Sequence, residues 1–116
     1  MNDILVKSFK AAGTIPGNHI VRLGIGVNSA ALATSPTEVL IGVAHNLDTS
    51  AGDVCDVVVS GIPLVKAGAA FSKGVYLTVD ANGRAVAVSG GTDRTIGISL
   101  EDASAGDLIP VLLTQA

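Results

Sequence analysis

Apolar residues occur along this chain in short runs, separated by clusters of Gly, Asp, Asn and Ser. Runs of four to seven residues rich in Val, Ile and Leu are typical of β-strands bounded by turns. The best helical stretch, residues 28–34, is too short to be stable without support. The pattern therefore predicts an all-β fold with strands at residues 20–23, 39–43, 54–59, 74–79, 84–88, 95–100 and 108–113.

The residues between these runs favour tight turns. Asn82-Gly83 lies between two apolar runs, and Asn-Gly is a strong hairpin signal because both residues tolerate positive φ. The tetrapeptide Ser-Ala-Gly-Asp occurs at 50–53 and again at 104–107, each time directly before an apolar run. Pro110 cannot donate to a β-ladder, so we expect the last strand to be an edge strand or to contain a bulge.

The two halves of the chain overlay when one is shifted by 55 residues. The stretch 41–43 (Ile-Gly-Val) then falls on 96–98 (Ile-Gly-Ile), and the order of strands and turns agrees on both sides. We predict one β domain over residues 11–116, built from pseudo-repeats at about 11–61 and 66–115. The alternative is convergent turn chemistry. Two such repeats suggest a small β-barrel or sandwich, because closure removes exposed sheet edges.

The first ten residues lie outside this repeat and contain several large apolar side chains. We predict that residues 1–10 form an extended N-terminal arm. Such an arm either adds a strand to its own sheet or reaches onto another subunit by strand addition, and the sequence leaves both alternatives open.

The composition indicates that partners cover much of the surface. Charged residues make up 15% of the chain, below the roughly 25% of an average soluble domain. We interpret this as a surface that partners cover, the alternative being a compact, slightly sticky monomer. The net charge of −3, the absence of a Lys/Arg cluster and the presence of only three aromatic residues argue against nucleic acid as a partner. No apolar run approaches the roughly 18 residues of a membrane span.

No catalytic or metal-binding constellation is visible. His19 and His45 lack ligands at metal-binding spacing, and Cys55, the single cysteine, lies in a predicted core strand. The Gly-Ile-Gly at 24–26 lacks the third glycine of a dinucleotide site, and the acidic pair at 101–102 fits a solvated loop. We therefore predict that the protein is not an enzyme and uses no cofactor and no metal. The lone cysteine and an N-terminus without a signal peptide fit synthesis in a reducing cytoplasm.

The second half carries a family resemblance. Residues 65–70 (VKAGAA), 74–86 (GVYLTVDANGRAV) and 96–113 (IGISLEDASAGDLIPVLL) resemble the capsid decoration, or cement, proteins of tailed bacteriophages. The first half agrees more loosely, through residues 16–17, 21–23, 41–44 and 52–53. The resemblance covers most of the chain beyond residue 11, and its motifs are signatures of turns and strands.

This resemblance implies a structural role. Proteins of this family are β-rich subunits without enzymatic activity that bind the outside of the mature shell, commonly as trimers that bridge neighbouring major capsid proteins. We therefore expect a homotrimer on the capsid surface of a virion, made in the bacterial host cytoplasm, with the major capsid protein as partner. The family supplies no site residue, so the contact prediction is taken from the arm: Asn2, Ile4, Leu5, Val6, Lys7 and Phe9.

Two other functions remain alternatives at this point. One is another virion structural subunit, of a tail tube or baseplate. The other is a small carbohydrate-binding β-module, which is weakened by the shortage of Trp and Tyr, since these side chains normally stack on sugars.

Overall fold

The computed structural model describes residues 5–91 and 93–114. Within these ranges the chain forms ten β-strands and no helix, so the all-β prediction is confirmed. The strands are β1 (Leu5–Ala11), β2 (Ile20–Leu23), β3 (Ser29–Leu32), β4 (Leu40–Ala44), β5 (Val54–Ser60), β6 (Leu64–Lys66), β7 (Tyr76–Val79), β8 (Ala85–Ala87), β9 (Gly97–Ser99) and β10 (Leu108–Leu113). The seven predicted strands correspond to β2, β4, β5, β7, β8, β9 and β10.

The stretch with the strongest helical character is a strand. β3 pairs antiparallel with β2 and parallel with β1, and it contributes Ala30 to a fully buried position. Alanine has the highest helix propensity of all residues, but propensity contributes little free energy per residue, and pairing with two neighbouring strands outweighs it. A small side chain also fits where a parallel and an antiparallel neighbour crowd the barrel interior.

β1 to β5 form a closed barrel with the strand order β1-β3-β2-β4-β5; we call this the first half. β1 closes it, since its register with β5 runs from Leu5 opposite Ser60 to Lys10 opposite Val54. Of the two alternatives for the N-terminal segment, the structure has the strand in its own sheet over residues 5–10. A separate extended arm is not confirmed there, and residues 1–4 lie outside the described residues.

β6 to β10 form a second sheet in the order β6-β10-β9-β7-β8; we call this the second half. Its pairings follow those of the first half: β7 pairs with β8 and β9 as β2 pairs with β3 and β4. A parallel bridge between Ala67 and Ala85 occupies the place of the parallel β1–β3 pairing. These correspondences agree with the predicted pseudo-repeats. That the two halves are repeats of one unit stays a prediction.

Pro110 is accommodated in a way that differs from the prediction. β10 lies between β6 and β9 and is therefore not an edge strand. Pro110 pairs with Leu64 of β6, whereas the pairing with β9 begins at the next residue, Val111. The Pro110 carbonyl accepts from the Leu100 N–H at 3.2 Å, one residue beyond β9, so the missing donor falls at the end of that ladder and interrupts none of its pairs.

Two hydrophobic cores hold the molecule together. One fills the barrel and includes Phe9, Val21 and Cys55. The other joins the halves, because it combines Ile20 and Val43 from the outer face of the barrel with buried residues of the second sheet. The halves are thus packed against each other through a continuous apolar layer.

Candidate interaction surfaces

The N-terminal contact residues are divided by the fold. Leu5 and Val6 are 62% and 42% exposed, and Lys7 is exposed beside them. Phe9 is buried in the barrel, with the Lys7 Nζ 5.5 Å from the centroid of its ring. Phe9 therefore offers almost no surface for a contact between subunits, and we leave it out of the candidate surface. The remaining two members, Asn2 and Ile4, lie outside the described residues.

The hairpin that joins β2 to β3 carries the most exposed apolar side chains among the described residues. We call residues 24–28 (GIGVN) the hairpin tip. Ile25 is 101% exposed and Val27 is 98% exposed, so neither side chain packs against its own subunit. Because both side chains are fully exposed to water, they contribute no hydrophobic stabilisation to the isolated chain.

The hairpin tip is nevertheless held in place at its base. The Gly24 N–H donates to the Ser29 carbonyl at 2.8 Å, and the Lys10 N–H donates to the Asn28 carbonyl at 2.8 Å. The Asn28 side-chain amide donates to the Ser8 carbonyl at 3.3 Å. Asn28 itself has a φ of 52°, a left-handed conformation that asparagine adopts more readily than most residues. The tip therefore presents its side chains from a defined backbone.

The corresponding turn of the second half has different chemistry. Residues 80–84 (DANGR) join β7 to β8, and Asp80 accepts hydrogen bonds from the backbone of Asn82 and Arg84. The Arg84 Nε lies 3.1 Å from the other Asp80 oxygen. Gly83, at a φ of 77°, packs against Leu32 of the first half. The predicted hairpin is confirmed, and this turn is both polar and covered where it contacts the barrel.

A second apolar surface lies on the outer face of the second sheet. Tyr76 pairs with Ile98, and Ile98 pairs with Leu112, so the three residues cross three strands. We call them the open row. Tyr76 is 51% exposed, Leu112 is 40% exposed and Ile98 is half-buried. An apolar row of this kind is typical of a surface that another molecule covers.

The surface of the described residues has several depressions. One of about 180 Å³ is lined by His45, Leu47, Thr49 and several aspartates. In this depression Asp48 accepts a hydrogen bond from the Gly17 N–H, and Asp56 accepts one from the Ser8 hydroxyl. Both carboxylates therefore stabilise the fold by linking separate segments of the chain. A more apolar depression of about 200 Å³ lies where the chain crosses between the halves, near Ile62, Pro63 and Leu64.

The residues considered for chemistry have structural surroundings. Cys55 is buried in the barrel, and burial raises the pKa of its thiol. The His19 Nδ1 lies 2.8 Å from the Gly17 carbonyl, and the His45 Nδ1 lies 2.9 Å from the Asn46 side chain. Asp102, of the acidic pair, accepts from the Lys73 N–H. The structure thus brings none of these groups together as a nucleophile and base.

Two further observations concern the described part of the chain. No group of three or more His, Cys, Asp or Glu side chains there is placed to hold a metal ion. Nor does any helix there have the length and apolar character needed to cross a membrane.

Sequence reasoning missed the two most informative surfaces. The Gly-Ile-Gly at 24–26 indicates only an incomplete dinucleotide motif, but Ile25 and Val27, apolar residues in a turn where polar residues are usual, are a usable signal. The open row had no local signal, because Tyr76, Ile98 and Leu112 meet only through strand pairing.

Comparison with known proteins gives a consistent result. A family model described as phage cement protein matches residues 2–114. Among solved structures, the chain is similar to the N base of head fiber gp8.5 of bacteriophage phi29, with a TM-score of 0.75 and 17% sequence identity over 97% of this chain and 95% of that chain. No curated protein sequence matches the chain.

Proposed function

The chain belongs to the phage cement protein family, and from this premise we propose that it binds the outer surface of a phage capsid and holds neighbouring major capsid proteins together. Membership makes it a structural protein of a phage particle. The capsid surface as its location and the major capsid protein as its partner are the proposed part.

The observation that carries the proposal is the amount of apolar surface the fold leaves open. Leu5, Ile25, Val27 and Leu47 are each more than 60% exposed, and the open row adds a further apolar strip. A small protein with few charges and such a surface gains stability when a partner covers it. None of these four side chains belongs to either hydrophobic core.

We also propose that the protein acts as a homotrimer. A cement protein must hold several shell subunits at once, and linked copies bind with an avidity that exceeds the affinity of one contact. Leu5, Val6 and Lys7 are proposed to contribute to the contact with the shell or with a neighbouring copy. The phi29 protein of similar fold is a head component by its description, and this favours the capsid over the alternative of a tail tube or baseplate.

Shell binding is tested with purified capsids that lack the protein. The protein is mixed with mature shells, the shells are sedimented, and the bound fraction and the temperature at which the shells disrupt are measured. The proposal predicts saturable binding and a higher disruption temperature. Failure to bind, or binding that leaves the disruption temperature unchanged, contradicts it. Glycan-array binding without shell binding favours the carbohydrate module instead.

A further inference from the structure

The four asparagines among the described residues differ in how their side-chain amides are held. Three of them contact another residue through the amide: Asn18 at 3.0 Å from the Leu64 carbonyl, Asn28 at 3.3 Å from the Ser8 carbonyl, and Asn46 at 2.9 Å from the His45 ring. The fourth, Asn82, is exposed in the turn 80–84, and its side-chain amide makes no hydrogen bond to a described residue. The Asn82 side chain is therefore the least restrained of the four.

Asn82 also differs from the other three in the residue that follows it. Gly83 follows Asn82, whereas the other three are followed by His19, Ser29 and Leu47. A glycine has no Cβ, so no side chain blocks the approach of its nitrogen to the preceding residue. The Gly83 N–H makes no hydrogen bond to a described residue either. The Asn82 amide carbon and the Gly83 nitrogen are thus neighbours, and a hydrogen bond holds neither of them back.

From this we propose that Asn82 is a site of spontaneous deamidation in the folded protein, with water as the co-reactant. Solvent base removes the amide proton of Gly83, whose nitrogen then forms a bond to the Asn82 Cγ. The bond from Cγ to Nδ2 breaks, and Nδ2 leaves as ammonia, which gives a cyclic imide. Water opens this imide at one of its two carbonyl carbons, and no electrons are transferred to or from the protein.

The position at which water attacks the imide decides the product. Breaking the bond from nitrogen to Cγ gives aspartate with the original main chain. Breaking the bond from nitrogen to the Asn82 carbonyl carbon gives isoaspartate, in which the main chain runs through Cγ. Either product replaces a neutral amide by a carboxylate and adds one negative charge to the net charge of −3. The inference concerns the chemistry of the chain itself, so it goes beyond the proposed function and does not depend on it.

The turn that contains Asn82 controls the rate of this reaction. The Asp80 carboxylate accepts from the Asn82 N–H at 2.8 Å and from the Arg84 N–H at 3.0 Å. These bonds limit the main-chain rotation that brings the Gly83 nitrogen in line with Cγ, and an intramolecular reaction depends strongly on that alignment. We therefore expect deamidation to be slower in the folded chain than in the denatured chain.

Deamidation at Asn82 also affects the contact between the two halves. The Gly83 carbonyl accepts from the Ile20 N–H at 2.7 Å, and Gly83 packs against Leu32. Isoaspartate lengthens the main chain by one carbon directly before Gly83, and the new carboxylate lies two residues from the like charge of Asp80. Both changes weaken the hold of this turn on the barrel, so the isoaspartate product lowers the stability of the protein.

Incubation of the purified chain in mildly alkaline buffer, with and without urea, tests the site. Peptide mass spectrometry follows the exchange of amide for acid, and methylation by an isoaspartyl methyltransferase detects isoaspartate. Asn46, which is exposed and precedes Leu47, is the control within the chain, and Asn82→Gln is the control variant because its longer side chain closes a ring far more slowly. We expect conversion at Asn82 alone. No conversion in the folded protein after the denatured chain has converted, or equal conversion at Asn46, overturns the inference.

The role of the turn is tested with Asp80→Ala, which removes the acceptor for two turn N–H groups. Asp107→Ala is the matched control, since it removes the acceptor for the Ser104 N–H in a different turn. We expect faster conversion of Asn82 in the first variant and the wild-type rate in the second. Equal rates in the two variants overturn the control of the reaction by the turn.

The effect on stability is measured on the deamidated forms, which anion exchange separates from the unmodified chain by their added charge. Asn82→Asp has the charge of the products with an unaltered main chain, so it separates the effect of charge from that of main-chain length. We expect the urea midpoint to fall from the unmodified chain to Asn82→Asp and further to the isoaspartate form. An isoaspartate form with the midpoint of the unmodified chain overturns the inferred loss of contact.

Discussion

The two halves of this molecule use the same strand pairings to different ends. In the first half the outer row of Ile20, Val43 and Val58 is sealed, and the turn at 24–28 is open. In the second half the row of Tyr76, Ile98 and Leu112 is open, and the turn at 80–84 is in contact with the barrel. The difference teaches that packing between the halves buries only one of the two rows, whereas the row of the second half and the turn at 24–28 keep their apolar side chains exposed.

The halves differ also in sheet closure, since the first is a closed barrel and the second is a five-stranded sheet. β1 runs along six residues of β5, whereas β6 pairs with only three residues of β10. The longer strand places Leu5 and Val6 beyond the barrel core, where they are exposed. These two side chains therefore add to the apolar surface of the first half.

The largest expected loss of stability comes from a substitution in the buried row of Ile20, Val43 and Val58. Ile20→Ala removes a fully buried side chain from the core that joins the halves, and such a change costs about 2–5 kcal/mol in free energy of unfolding. Tyr76→Ala, at the corresponding but half-exposed position, costs less than about 1 kcal/mol in dilute protein. Denaturant unfolding measures both. Equal costs would contradict the distinction between a sealed and an open row.

The next largest loss of stability is expected at Gly42 and Gly97, where each half brings two strands close together. Gly42→Ala and Gly97→Ala each force a Cβ onto a backbone carbonyl of the neighbouring strand, so each destabilises by about 1–3 kcal/mol. The controls are Gly13→Ala and Gly91→Ala, one in each half, where a Cβ meets open space. Thermal melting of the four variants should separate them into two pairs. A large loss at one glycine only would show that the halves are packed differently.

A smaller effect distinguishes the two Ser-Ala-Gly-Asp turns. Asp107 accepts a hydrogen bond from the Ser104 N–H at 2.9 Å, whereas the Asp53 carboxylate makes no side-chain hydrogen bond or ion pair to a described residue. Asp107→Ala should therefore cost about 1 kcal/mol, and Asp53→Ala close to nothing. Urea midpoints of the two variants provide the measurement, and the reverse order would refute this account of the turns.

The last prediction involves no substitution and asks whether the two halves unfold together. Cys55 is buried in the barrel with a raised pKa, so a thiol reagent reaches it only when the first half opens. Tyr76 is the single tyrosine and reports on the second half. Because one core contains residues of both halves, labelling of Cys55 and loss of tyrosine signal should share one denaturation midpoint. Two midpoints would show that the halves unfold separately.

The sequence predicted strands best where tertiary and local preferences agree. The apolar runs from 54 to 59 and from 108 to 113 are strands, because β-branched residues suit both a strand and a buried face. It failed at residues 28–34, where the pairing of β3 with two neighbours outweighs the helical preference of alanine. The contact prediction for Phe9 stays a prediction that its burial in the barrel disfavours, since an apolar residue in an N-terminal segment does not reveal whether its own barrel will bury it.

The candidate surfaces were predictable only in part. The exposed Leu5 and Val6 were in the predicted contact set, because they precede the repeat. The open row could not be predicted, since its members are brought together by the register of three strands. The low charge of the chain predicts a surface that partners cover, which stays a prediction, and it gives no position for that surface.

The central claim is that this β protein is a capsid cement whose open surfaces are covered on the shell. Electron cryomicroscopy of mature shells with and without the protein tests it most directly. We predict extra density on the outside of the shell, with each oligomer touching at least two major capsid proteins. Shells that show no added density at saturating protein would contradict the account.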